Sequence, residues 1–196
     1  MKNIDVEKIL RDFHQVCIDE NDSYLRTYND FIEFFKSKTE ISKHDFVVGA
    51  HLIYGWMPTI ISFGFDEIEY NVQLLNRVKN GELLLEDELE SLKRAVNNSI
   101  VGVSKILHFI APENYAIWDS RIHRYVTGKK SSYGVNTVKS FMSYQSLMRE
   151  LSTDNKVENL RREVIEKIGY EVSRLRAIEL IMFESDKKIE VNTVVN

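Results

Sequence analysis

The chain has 196 residues, of which 43% are hydrophobic and 29% charged, the balance of an ordinary soluble globular protein of one domain or two small lobes. With 8 Gly and 2 Pro it is neither collagen-like nor a Pro-rich linker. Against 30 acidic residues stand 26 basic ones, a formal net charge of −4, so any contact with DNA has to come from a local basic surface.

The N-terminal residues MKNIDVEKILRDFHQ carry acids every few positions and no apolar core, which argues against a signal peptide. Ile4, Ile9, Phe13, Val16 and Cys17 fall on one helical face. Cys17 is the single cysteine, which excludes an intrachain disulfide and a four-cysteine zinc or iron–sulfur site and points to a reducing cytoplasm. Asp22 or Ser23 can cap a second helix running through Phe35. Residues 46–65, FVVGAHLIYGWMPTIISFGF, hold no Asp, Glu, Lys or Arg and are long enough to span a bilayer. Pro58 interrupts them and no Lys/Arg cluster flanks them, so the reading is two buried helices meeting at Trp56–Pro58, with no membrane partner.

Asp66 can cap a helix bearing Ile68, Val72, Leu75 and Val78, which Asn80–Gly81 ends. A charged amphipathic helix covers 85–97, and an apolar helix covers 100–110 up to Pro112. Asp119 opens the next helix, which stops at Gly128 before the loop GKKSSYGVN. Helices near 136–152, 156–168 and 171–185 follow. Residues 187–196 read as a C-terminal tail or a short strand. The fold class is therefore all-α, a multi-helix domain over 1–186 with two helical lobes.

The sequence contains no P-loop, GxGxxG, GxSxG or HExxH. His14, His44, His51, His108 and His123 lack paired ligand spacing, so no metal and no cofactor is expected. The informative block is 99–128, SIVGVSKILHFIAPENYAIWDSRIHRYVTG. Its Pro-terminated turn folds two helices into a hairpin that can bring Lys105 and Asp119, fourteen positions apart, to one concave site. A buried lysine loses its proton more easily, and a carboxylate beside it can take that proton or stabilise a positively charged, sugar-like transition state. Trp56 and Trp118 also have a plain structural reading as core aromatics, Asp119 as a helix cap and Lys105 as a surface lysine on an amphipathic helix.

This block resembles the helix-hairpin-helix DNA glycosylases, in particular their 8-oxoguanine glycosylase branch. Ala116-Ile117-Trp118-Asp119-Ser120-Arg121-Ile122-His123-Arg124 is similar to that family's AIxDRHI pattern, and Ser104-Lys105 falls where the family keeps its lysine. The resemblance covers about thirty of the 196 residues. The family hairpin reads like LPGVGxxTA, whereas Ile100-Val101-Gly102-Val103-Ser104 has one glycine. The resemblance implies a DNA partner, Lys105 attacking C1′ to give a Schiff base, and Asp119 activating it and stabilising charge at the sugar. It further implies a flipped base stacked on Tyr54, Trp56 or Trp118, and phosphate contacts from Arg121, Arg124, Lys129 and Lys130, which lie in a stretch free of acids. The rival expectation is a non-catalytic helical module that keeps the fold and binds nucleic acid or protein.

Overall fold

The computed structural model describes the backbone of residues 4–194 and the side chains of residues 4–187. Helix α1 is Val6–Phe13, begun by Asp5, whose carboxylate accepts the Lys8 N–H at 2.8 Å. Val16 and Cys17 lie beyond its end, and Cys17 is exposed. The helix expected from Asp22 through Phe35 is two: α2 (Ser23–Arg26) and α3 (Tyr28–Lys36). The break falls at Thr27, whose hydroxyl donates back to the Ser23 carbonyl at 2.7 Å, the local bond by which Thr competes with a helical ladder.

A reciprocal cap between Ser42 and Asp45 starts α4 (Lys43–Trp56). The second buried helix expected after Pro58 is absent. Residues 57–65 run without helix; the Gly64 N–H donates to the Ala95 carbonyl at 2.8 Å, and Phe63 forms an isolated antiparallel bridge with Val96. The expected burial fails with the helix: none of residues 57–65 is buried, and Ile60 and Phe65 are exposed, so a run without charge is not by itself a core segment. Helix α5 (Ile68–Lys79) begins at Glu67, not Asp66; Glu67 sits in the left-handed region, and its carboxylate accepts from Ser91 at 2.9 Å and Arg94 at 2.8 Å. Helix α6 spans Glu86–Ala95.

Helices α7 (Ile100–Ile110) and α8 (Ser120–Thr127) follow as the sequence predicts, with Asp119 as the cap and Gly128 in the left-handed conformation at the end of α8. Then come α9 (Val138–Ser152), α10 (Asn155–Ile168) and α11 (Arg174–Val194). Helix α11 runs well past 185, so the expected tail is helical through Val194. The chain is all-α. Among the described residues no helix is long and apolar enough to cross a membrane.

Two helices organise the rest. Every residue of α7 except Val101 is buried, and α3, α4, α5, α6 and α9 pack around it. Helix α11 is the second axis and packs on α8, α10, α1 and α9. The α4–α7 approach is close because position 102 is glycine: a Cβ there would run into the Tyr54 ring. Gly102 thus serves helix packing and is itself buried.

Candidate active site

The turn between α7 and α8 explains how Lys105 and Asp119 come together. Residues Tyr115 to Trp118 are buried but not helical, so their polar backbone needs side-chain partners. His108 Nδ1 donates to the Tyr115 carbonyl at 2.7 Å. Gln145 of α9 brackets Ala116, accepting its N–H at 2.9 Å and donating to its carbonyl at 2.7 Å. Ser104 accepts the Trp118 N–H at 3.1 Å, and its hydroxyl lies 3.0 Å from the Trp118 carbonyl. The Ser104–Trp118 clamp holds together the neighbours of Lys105 and Asp119.

Both residues line one cavity of about 480 Å³, within the range that takes a nucleoside-sized ligand. Val101 and Lys105, one turn apart on α7, form part of its wall, and Asp119 and Arg121 stand at the start of α8. The opposite wall is α11, through Arg176, Glu179, Leu180, Phe183, Glu184 and Lys187. Tyr24, Thr59 and Ser120, the exposed lining residues, mark the mouth.

Lys105 is only 7% exposed and, among the described residues, forms no hydrogen bond or ion pair. Burial pushes its ammonium below the ordinary lysine value; Asp119 and Glu179 pull the other way, and Arg176 adds to the depression. One oxygen of Asp119 accepts the Ile122 N–H at 2.9 Å as the helix cap, and its other oxygen has no hydrogen bond among the described residues. Cap and cavity residue are therefore one side chain.

No family model, curated protein or solved structure matches the chain. The site must be read from its own geometry.

The α11 wall is the part that sequence reasoning missed. Arg176 and Glu179 are 5% and 1% exposed and form a buried ion pair. The Arg176 guanidinium also lies 4.8 Å from the centre of the Tyr28 ring. The Tyr28 hydroxyl in turn lies 2.7 Å from His108 Nε2; since His108 Nδ1 carries its proton to Tyr115, Nε2 accepts and Tyr28 donates. Burial, aided by Arg176, holds His108 neutral at a pKa of about 3. Burial pushes the Glu179 carboxyl up to about 7 despite Arg176. A signal existed in the sequence: Ala177, Ile178, Leu180, Ile181 and Met182 leave α11 apolar all round here, which puts any charge between them in the interior.

The other expected residues divide. Trp56 lines the cavity, in edge contact with Tyr24 at 5.2 Å. Tyr54 and Trp118 do not: Tyr54 is in the core with its hydroxyl on the Val96 carbonyl at 3.0 Å. Trp118 is fully buried, its indole donating to the Val135 carbonyl at 2.8 Å. The core-aromatic reading holds for Trp118, which packs on Tyr144 of α9, whereas Tyr54, expected to stack on the base, fills the α4–α7 seam against Gly102 instead. Arg121 lies over the Phe183 ring at 5.3 Å. Arg124 is drawn to Asp186 of α11, with Nη2 at 2.5 Å. Lys129 and Lys130 are exposed on the loop after α8. Gly102, buried against Tyr54, is not placed to hold a phosphate. Among the described residues no three His, Cys, Asp or Glu side chains cluster as a metal site.

Proposed function

We propose that the cavity is the active site of a glycosylase-like enzyme that uses the Lys105 amine as its nucleophile on a nucleoside sugar. The observation that carries this reading is a buried lysine with no partner among the described residues, lining the same cavity as Asp119. A lysine buried away from bulk solvent is costly to keep charged, and its neutral amine is the more accessible form. The amine attacks C1′ of an extruded nucleotide while the free oxygen of Asp119 faces the positive charge that develops at the sugar. Leu180, Phe183 and Trp56 supply apolar and aromatic surface for a base. The cations assigned to a DNA partner are Arg121 in the cavity wall and the exposed Lys129 and Lys130 on the loop after α8.

Borohydride trapping on duplexes carrying single damaged bases tests the reading. The expected result is a covalent adduct with the wild type that Lys105→Gln abolishes. No adduct with any lesion, while an established glycosylase traps in parallel, overturns it.

A further inference from the structure

Lys105 has to lose a proton before it can act, and Asp119, to which the resemblance gives that role, is not the only carboxylate able to take it. Two carboxylates of the cavity wall face it, Asp119 and Glu179. Asp119 spends one oxygen on the α8 cap, a bond that fixes it as part of the helix. Glu179 is differently held. Arg176 binds Oε2, and Oε1 accepts no hydrogen bond among the described residues. Lys105 Nζ also lacks a partner, and neither atom is sealed by protein on all sides, so both open onto the shared cavity.

We infer that Glu179, clamped by Arg176 on the α11 wall, takes the proton from the Lys105 ammonium through a water in the cavity and later returns it to the departing base. This rests on the reading of Lys105 as the nucleophile. In the first step an N–H bond of Lys105 breaks and an O–H bond forms on Glu179, leaving a neutral amine and a neutral carboxyl. In the second, Nζ bonds to C1′ and the C1′–N bond breaks. The base leaves with that electron pair and takes the proton that Glu179 holds. Nζ, now a cation bearing two protons, passes one of them to O4′ as the C1′–O4′ bond breaks and the sugar ring opens; the other stays on nitrogen, which gives the protonated imine. No oxidant or other reactant is needed.

The surroundings suit a group that changes charge near neutrality. Arg176 on its own helix, Lys105 of α7 and Asp119 at the cap of α8 act on Glu179, and the neutral hydroxyls of Tyr144 of α9, Tyr28 of α3 and Tyr170 before α11 lie within reach of its charge. Burial raises its carboxyl, Arg176 and Lys105 lower it and Asp119 raises it, which leaves it balanced between its two states at about 7.

The test reads protons first and excision second. Wild type and Glu179→Gln are methylated reductively with formaldehyde and cyanoborohydride over a pH series. Labelling of Lys105 is followed by mass spectrometry, with Lys129 and Lys130 as exposed references. In the wild type the Lys105 midpoint should lie below the references. In Glu179→Gln it should fall further, by about one pH unit, because a negative neighbour has gone. An unmoved midpoint overturns the inference. If Glu179→Gln does not fold, carbon NMR of lysine-labelled wild type serves instead: the Lys105 Cε signal should show a second inflection shared with Glu179, and a single inflection overturns the inference. Adduct formation on damaged DNA with an unmoved midpoint refutes the proton couple alone. A moved midpoint with no adduct on any lesion leaves the couple standing and refutes the nucleic-acid reading.

Discussion

The two walls of the cavity are built on different physics. The α7–α8 wall is set by local rules: a proline-ended helix, a turn whose backbone is satisfied by His108, Gln145 and Ser104, and an Asp cap. The α11 wall has no turn or cap to announce it. Its charges sit inside a helix whose neighbouring positions are apolar, and they are tolerated because Arg176 and Glu179 pair with each other and Arg176 also lies over the Tyr28 ring. One wall positions its functional groups through backbone geometry, the other through charge balance. The two should therefore fail in different ways.

The largest effect is expected on the α11 wall. Arg176→Ala leaves Glu179 buried without its counter-ion, a loss of about 3–5 kcal/mol by urea unfolding. That cost should itself depend on pH. Glu179 binds its proton more tightly when folded, at about 7 against 4.5, so the stability its protonated form brings is lost as pH rises through 7. Arg176→Ala should accordingly be less damaged in mildly acidic than in mildly alkaline buffer. A penalty indifferent to pH would mean that the pair acts through packing, and the contrast between the walls would dissolve.

The next effect concerns α7, which carries two buried bases of opposite status. His108 has both nitrogens bonded, whereas Lys105 has no partner among the described residues. Because the folded value of His108 is depressed from 6.5 to about 3, its contribution is complete above 6.5 and is lost as pH falls toward 3. The slope should approach about 1.4 kcal/mol per pH unit in that window, measured by unfolding at successive pH values. His108→Asn should flatten it.

The same division explains what could be read from the sequence. The limits of α7 and α8, the Asp119 cap and the Gly128 stop were legible because each depends on residues within a few positions. Residues 57–65 were not: they are uncharged like a buried helix, and what makes them extended is the remote edge at Ala95–Val96. Tyr54 and Trp118 carried the chemistry of stacking residues, yet their rings close helix seams, and no local pattern separates the two uses. Arg176 and Glu179 were visible as charges among apolar neighbours, but the cavity they face is made by α7 and α8, far back in the chain.

Two smaller effects sharpen the contrast on the α7–α8 side. Lys105→Met removes a partnerless buried amine and keeps an unbranched side chain, so it should raise stability by about 1 kcal/mol while abolishing formaldehyde labelling at 105. A loss of stability instead would mean that the amine is structurally paired and not kept for chemistry.

Asp119 gives the smallest effect and the finest discrimination. Asp119→Ala removes the bond to the Ile122 N–H and should cost about 1 kcal/mol. Asn caps a helix nearly as well as Asp, so Asp119→Asn should unfold close to the wild type. It nevertheless removes a negative charge that acts on Lys105, so the labelling midpoint of Lys105 should still fall. Stability restored with the midpoint displaced separates the cap from the charge in one side chain. If Asp119→Asn were as unstable as Asp119→Ala, the carboxylate would be held by charge balance like Glu179, and the two walls would be variants of one design.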